Sequence, residues 1–240
     1  MISVCIATYN GEKYIKEQLD SILCQLSTED EVIVSDDGSL DKTLTIIESF
    51  DDLRIKIFTH QHKKRNLKNH YKVAANFENA LKQAKGDYIF LSDQDDVWLP
   101  DKIEKIMPFL QQNNFVISDA FIVDENLIKT GKISNYRLYK RGFWRNLYKS
   151  AYMGCTCAFH KTIKNYVLPF PSKLIGQDYW IGLLAELKFN VVYIPEPLIL
   201  YRKHQNNVSD TGEKSIKSFW YMFSYRFVLF FQILKRICRL

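Results

Sequence analysis

Apolar positions in the first hundred residues fall in short unbroken runs that alternate with segments of helical period. Residues 2–7 form one such run, interrupted only by Ser3, and residues 31–35, 54–59 and 88–92 form three more. Between them Leu19, Ile22, Leu23 and Leu26 recur at helical spacing. So do Leu44, Ile46, Ile47 and Phe50, and then Val73, Phe77, Ala80, Leu81 and Ala84. A strand apolar at nearly every position is buried on both faces, and such strands alternating with helices build a parallel sheet sandwiched by helices. The pattern predicts an α/β fold with a Rossmann-like, mostly parallel sheet.

Beyond residue 100 the regularity weakens. Pro100 followed by Asp101 suits a helix start. Residues 115–118, 158–159 and 191–194 read as strands and 179–189 as a helix. Residues 125–141 are polar, rich in Lys, Asn, Tyr and Arg and without period, and read as a long functional loop. Residues 214–240 change character. Lys214, Lys217, Ser218, Ser224, Gln232, Lys235, Arg236 and Arg239 share one helical face. The other face carries Phe219, Trp220, Tyr221, Met222, Phe223, Phe227, Phe230, Phe231 and Leu234, with Arg226 as its exception. A basic-aromatic amphipathic helix lies in a membrane interface or packs on a protein surface, and Arg226 and Gln232 argue against a span. The chain thus divides into a domain at 1–212 and a membrane-association helix at 213–240.

Net charge is +6, from 33 basic and 27 acidic side chains. That suits an anionic ligand or membrane surface, and without a zinc-finger or basic-zipper pattern no nucleic-acid partner is expected. The run His60-Gln61-His62-Lys63-Lys64-Arg65 reads as a solvated, membrane-facing or donor-touching loop. The odd count of five cysteines, with no basic-then-apolar leader after Met1, points to a reducing, cytoplasmic setting. Asn207-Val208-Ser209 is then an ordinary loop rather than a glycosylation site. Cys155 and Cys157 with His160 lack a second ligand pair at zinc spacing and read as buried thiols.

In an open parallel sheet, ligands bind beyond the carboxyl ends of the strands. There the first strand delivers Thr8-Tyr9-Asn10-Gly11-Glu12, the second Asp36-Asp37-Gly38-Ser39 and the fourth Asp93-Gln94-Asp95-Asp96. Three acids within four residues repel one another without a cation, and carboxylate oxygens suit Mn²⁺ or Mg²⁺ bridging a diphosphate. Asp36-Asp37-Gly38-Ser39 is either a turn and helix cap or an acceptor for nucleobase and ribose donors. The absence of a Gly-x-Gly-x-x-Gly or a Gly-Lys-Ser/Thr loop argues against a dinucleotide cofactor and a phosphate-loop NTPase.

These residues resemble those of family 2 glycosyltransferases with the GT-A fold. The match rests on residues 3–10, Asp36-Asp37-Gly38-Ser39, residues 86–96, Gly154-Cys155-Thr156, Gln177-Asp178-Tyr179-Trp180 and Tyr201-Arg202-Lys203-His204, and spans roughly residues 1–210. The wording Ser92-Asp93-Gln94-Asp95-Asp96-Val97-Trp98 is similar to a bacterial rhamnosyltransferase-like subgroup. The resemblance implies that Thr8, Tyr9 and Glu12 line a nucleotide pocket, with Asp36 at the base and Asp93 at the ribose or metal. It makes Asp95 the main metal ligand with His204 beside it, brings Arg202 to the diphosphate, and casts Asp178 as catalytic base. The family's usual Glu-Asp pair is here Gln177-Asp178. It also implies inverting transfer from a UDP- or dTDP-sugar to a saccharide, lipid-linked where the enzyme sits on the inner face of the cell membrane. Surface polysaccharide such as O-antigen would be the product. Two alternatives compete: a sugar-nucleotide pyrophosphorylase, whose Gly-rich, Arg-containing first loop is replaced here by Thr8-Tyr9-Asn10-Gly11, and a non-catalytic nucleotide-binding membrane scaffold.

Overall fold

A computed structural model describes residues 1–60, 69–172, 174, 176–204 and 219–238. The basic run from Gln61 to Arg65, Asn207-Val208-Ser209, and Lys214, Lys217, Ser218 and Arg239 lie outside the described residues.

The first half alternates as its apolar pattern predicts: β1 (Ile2–Thr8), α1 (Ile15–Leu23), β2 (Glu31–Asp36), α2 (Thr43–Glu48), β3 (Ile55–Thr59), α3 (Asn69–Gln83) and β4 (Tyr88–Asp93). A short β5 (Val97–Trp98) and α4 (Lys102–Gln112) follow. The second half runs β6 (Phe115–Val123), β7 (Lys129–Lys132), α5 (Phe143–Tyr148), β8 (Cys157–His160), α6 (Lys161–Val167), α7 (Gln177–Lys188), β9 (Val191–Arg202) and α8 (Phe219–Ile237). The strands form one sheet in the order β3-β2-β1-β4-β8-β6-β9-β5, with β7 beside β6. β1 to β4 are mutually parallel. β8 runs antiparallel to both β4 and β6, while β6 and β9 are parallel. The sheet expected to be mostly parallel is parallel through β1 to β4 and again at β6 and β9, with antiparallel pairs between, and the fold is a mixed α/β sheet of GT-A type.

Alternate side chains of the parallel strands feed two cores. Cys5 and Ile33 face a core shared with Phe77 and Leu81 of α3 and with Trp180 and Leu184 of α7. Val4, Ile6, Val32 and Val34 face the opposite core with Leu19 and Ile22 of α1 and Ile106 of α4. Each fully buried aliphatic side chain contributes about 1.5–3 kcal/mol by removal from water. The sheet is thereby pinned from both sides, and its carboxyl edge becomes a fixed platform.

Two readings of the sequence are corrected here. Residues 125–141 are not one structureless loop: Lys129–Lys132 pairs with β6, and Ile133–Asn135 forms a 3₁₀ turn. This strand lies beside β6 off the main strand path, with mostly exposed polar side chains, so apolar periodicity does not mark it. β9 extends past residue 194 to Arg202, its pairing with β6 shifting register where Pro195 and Pro197 interrupt the ladder.

α8 is held against its own domain on one flank. Leu229 and Ile233 are buried among α5 and α7, and Arg236 donates to the carbonyl oxygen of Leu168 at 2.9 Å. Arg226, the exception on the apolar face, places its guanidinium 5.0 Å from the Tyr148 ring. The outer flank keeps Phe227, Val228, Phe231 and Leu234 exposed. No helix of the described residues is long and apolar enough to cross a membrane.

Candidate active site

β1 lies between β2 and β4, so the chain leaves it toward opposite sides, and the crevice beyond its carboxyl end is the binding position of such sheets. The loops bordering that crevice are tied together by side chains. Thr8 is buried and donates its hydroxyl to Asp36 Oδ1 at 3.0 Å. Asp36 Oδ2 accepts the backbone N–H groups of Gly38 at 3.0 Å and Ser39 at 2.8 Å. Gly38, at φ 79°, occupies the left-handed region that a side chain would strain. Asp36 thus spends its carboxylate on holding the turn after β2, whereas the sequence reading points it at a nucleobase. Asp37, next in the chain, sits 3.4 Å from His60 Nδ1.

Gln94 joins the first and fourth loops. Its Oε1 accepts from the Tyr9 N–H at 2.9 Å, and its Nε2 donates to the Tyr9 carbonyl at 3.2 Å. Gly11 makes room for this clamp, because a Cβ there would stand 2.5 Å from Gln94 Oε1. Tyr9 is held by its backbone while its ring stays 52% exposed, available to a planar ligand. Glu12 accepts from the Lys42 N–H at 2.9 Å, tying the first loop to the start of α2.

The acidic residues gather under this clamp. Asp95 Oδ2 meets His204 Nε2 at 2.8 Å, so the two expected metal ligands are brought together from β4 and β9, and His204 stacks on Tyr14 at 5.0 Å. Arg202 is nearly fully buried. Its backbone N–H donates to Asp96 Oδ1 at 3.1 Å and its guanidinium to the carbonyls of Asp95 at 2.9 Å and Glu125 at 2.8 Å, with Glu17 as an ion-pair partner. In this conformation it braces the acidic loop, in place of the expected reach toward a diphosphate. Burial, then the charges of Asp96, Asp95 and Asp178, push Asp93 well above the usual carboxylate range. Burial and Asp95 push Asp96 up to about 7, and its Oδ2 is a buried oxygen with no hydrogen-bond partner among the described residues.

These features suit a divalent cation: crowded carboxylates, an orphaned buried carboxylate oxygen and an adjacent imidazole. Ligand atoms of Asp93, Asp96 and Cys155 lie within 4.8 Å of one another. Burial, then the nearby carboxylates, keep the Cys155 thiol protonated, so the oxygen and imidazole donors fit Mn²⁺ or Mg²⁺ better than the thiol would.

Asp178 lies in the first turn of α7, where its Oδ1 accepts its neighbour Tyr179's N–H at 2.8 Å. Burial raises its pKa, opposed by that bond, by the Arg137 charge and by the Gly154 N–H. Its charge is also among those that raise Asp93.

Two contributors escape the sequence reading. Gln94 looks like a spacer between acids. Lys102 looks like a solvated helix lysine, yet it is fully buried, donates Nζ to the Cys155 carbonyl at 2.9 Å and lies 3.8 Å from the Trp98 ring centre. Burial pulls its pKa down to about 7, opposed by the nearby carboxylates of Asp96 and Asp93, which favour its charge. A buried cation beneath the carboxylates offsets part of their repulsion.

A sequence profile described as "Glycosyl transferase family 2" matches residues 3–164. Among curated proteins, the UDP-Glc:alpha-D-GlcNAc-diphosphoundecaprenol beta-1,3-glucosyltransferase WfgD of Escherichia coli is 28% identical, over 92% of this chain and 84% of its own. The dTDP-rhamnosyl transferase RfbG of Shigella flexneri is 30% identical, over 84% of this chain and 72% of its own. Of solved structures, S. aureus TarS 1-349 in complex with UDP-GlcNAc aligns with a TM-score of 0.67 at 21% identity, over 95% of this chain and 66% of that one. The mannosyltransferase PcManGT of Pyrobaculum calidifontis, in complex with GDP-Man and Mn²⁺, aligns with a TM-score of 0.60 at 20% identity, over 85% of this chain and 57% of that one. At these identities the structural matches carry the fold alone.

Proposed function

This chain belongs to glycosyl transferase family 2, and on that premise we propose that it is a metal-dependent, inverting transferase. It moves a sugar from a UDP- or dTDP-sugar to a hydroxyl of a lipid-linked saccharide in bacterial surface polysaccharide synthesis. The observation that carries the reading is the Asp95–His204 pair in the crowded acidic loop at the carboxyl edge of the sheet. WfgD and RfbG, by name a UDP-glucose and a dTDP-rhamnose enzyme, support the donor class.

Thr8 and Asp36 set the floor of the nucleotide pocket, the Tyr9 ring covers the base, and Glu12 fixes the loop between them. Asp95 and His204 hold Mn²⁺ or Mg²⁺, with Asp93 toward the ribose. When bound, the metal supplies positive charge to the diphosphate. Asp178 takes the proton of the acceptor hydroxyl as its oxygen bonds to the sugar carbon and the bond to the diphosphate breaks. A carboxylate with a raised pKa is a better base for that proton. Arg202 keeps the acidic loop in place. Residues 213–240 form the element through which the enzyme rests on the cytoplasmic face of the membrane, the outer flank of α8 entering the interface.

The test is the thermal midpoint with Mn²⁺ against UDP-, dTDP- and GDP-sugars, since a ligand that binds the folded state raises it. A metal-dependent rise with a UDP- or dTDP-sugar is the expected result. No shift with any of them would remove the donor site from the acidic edge.

A further inference from the structure

An open depression of about 610 Å³ lies over residues 134–151. Four cations line it: Arg137, Lys140, Arg145 and Lys149. No carboxylate lines it, and none of the four forms an ion pair with a described residue. Four like charges held together without counter-ions raise the local potential and favour an anion.

The walls are fixed by Glu186 of α7. It accepts from the Gly142 N–H at 3.0 Å and the Tyr152 hydroxyl at 3.1 Å, and also from the Tyr139 hydroxyl. Asn146 donates its amide to the carbonyls of Lys140 at 2.9 Å and Gly142 at 3.0 Å. A backbone fastened this way lowers the ordering cost on binding to that of the side chains themselves.

Arg137, which lines the depression, also acts electrostatically on Asp178. At the outer rim of the depression the surface turns apolar. Tyr148 is 72% and Trp144 68% exposed, and the Trp144 ring lies 5.5 Å from Phe230 of α8. The exposed flank of α8, with Phe227 and Phe231, continues that surface. Cations with no carboxylate partner among the described residues, and exposed aromatics next to them, match a phosphate ester on an apolar tail.

We propose that Arg137, Lys140, Arg145 and Lys149 bind the phosphate or diphosphate of an acceptor carried on an apolar chain, the chain lying along Trp144, Tyr148 and the outer flank of α8. This rests on the transfer reading and assigns the acceptor side of the same site. It places the acceptor's first sugar, joined to that phosphate, against Asp178.

The test uses the full chain and its double variant Arg145→Ala/Lys149→Ala, both positions being exposed. Affinity for geranylgeranyl diphosphate is measured beside inorganic diphosphate and vesicles of phosphatidylcholine with phosphatidylglycerol. The variant is expected to lose about tenfold or more in affinity for the prenyl diphosphate, and Arg145→Lys/Lys149→Arg to restore most of it. Inorganic diphosphate is expected to bind more weakly than the prenyl diphosphate. Unchanged prenyl diphosphate affinity in the alanine variant would overturn the proposal. So would inorganic diphosphate binding as tightly as the prenyl one, or an equal loss on the vesicles, which would make the cations a bilayer contact. Mn²⁺-dependent nucleotide-sugar binding is expected to be equal in all variants. Its absence from the wild-type chain would defeat the transferase reading and leave the anion pocket standing on its own arm.

Discussion

The acidic wall at the carboxyl edge of β1, β2 and β4 and the cationic wall over residues 134–151 are built in opposite ways. On the first, carboxylates crowd together, and their loops are laced by side-chain to backbone bonds such as Asp36 to Ser39 and Gln94 to Tyr9. On the second, cations stand without paired acids on a segment fastened from behind by Glu186. An acidic wall needs a metal before it can hold a diphosphate, whereas a cationic wall holds a phosphate directly. The contrast supports the proposal that donor and acceptor use separate walls, with Asp178 as the group that acts on the hydroxyl.

The largest effect is expected at the proposed base. Asp178→Asn should lower kcat by about 10²–10⁴ while nucleotide-sugar affinity stays at wild type. Full activity in that variant would break the division of labour. The wild-type kcat/KM should fall as pH drops through a value above 3.8, the ordinary aspartate pKa, because burial raises the carboxyl and only its ionised form takes a proton. A limb at or below that value would place the base elsewhere.

The Gln94 clamp sharpens the comparison from the acidic side. Gln94→Ala removes two hydrogen bonds to the first loop and should weaken nucleotide-sugar binding by about tenfold, close to one or two such bonds. Gly11→Ala should imitate it by pushing the amide off Tyr9, and the two changes together should cost little more than either. Additive losses in calorimetric titrations would deny the clamp.

The smallest effect lies below the site. Glu31 is buried, which raises its pKa, but its bonds from Lys56 at 2.7 Å, Ser3 at 2.6 Å and the Lys85 N–H at 2.7 Å outweigh this and lower it. Its stabilisation is complete above its unfolded pKa near 4.5 and is lost as pH falls through the lowered folded value. Thermal midpoints of Glu31→Gln should therefore lie below wild type at neutral pH and converge with it in acid.

The first half of the chain was legible because β1, β2 and β4 are buried on both faces, so apolar runs such as Val32, Ile33 and Val34 mark themselves. β7 was not, since Lys129 to Lys132 pairs through its backbone and leaves mostly exposed polar side chains. Pro195 and Pro197 concealed the continuation of β9, which delivers Arg202 and His204 to the site. The acids of the site were visible as residue types. Sequence does not reveal which lone pairs and protons are already used, and so Asp36 and Arg202 were expected to face ligand while their bonds run inward. Lys102 was hidden for the converse reason: nothing in a lysine on an amphipathic helix announces that it points beneath the acidic loop. The polar and apolar faces of 214–240 were readable, but not that Leu229 and Ile233 pack inward while Phe227 and Phe231 remain outside.

The most direct test of the central claim is calorimetric titration of a UDP- or dTDP-sugar into wild type and Asp95→Ala, with and without Mn²⁺. Binding that needs Mn²⁺ in the wild-type chain and disappears in the variant is the predicted result. Equal binding by both proteins, or binding indifferent to the metal, would contradict the assignment of the donor to the acidic wall.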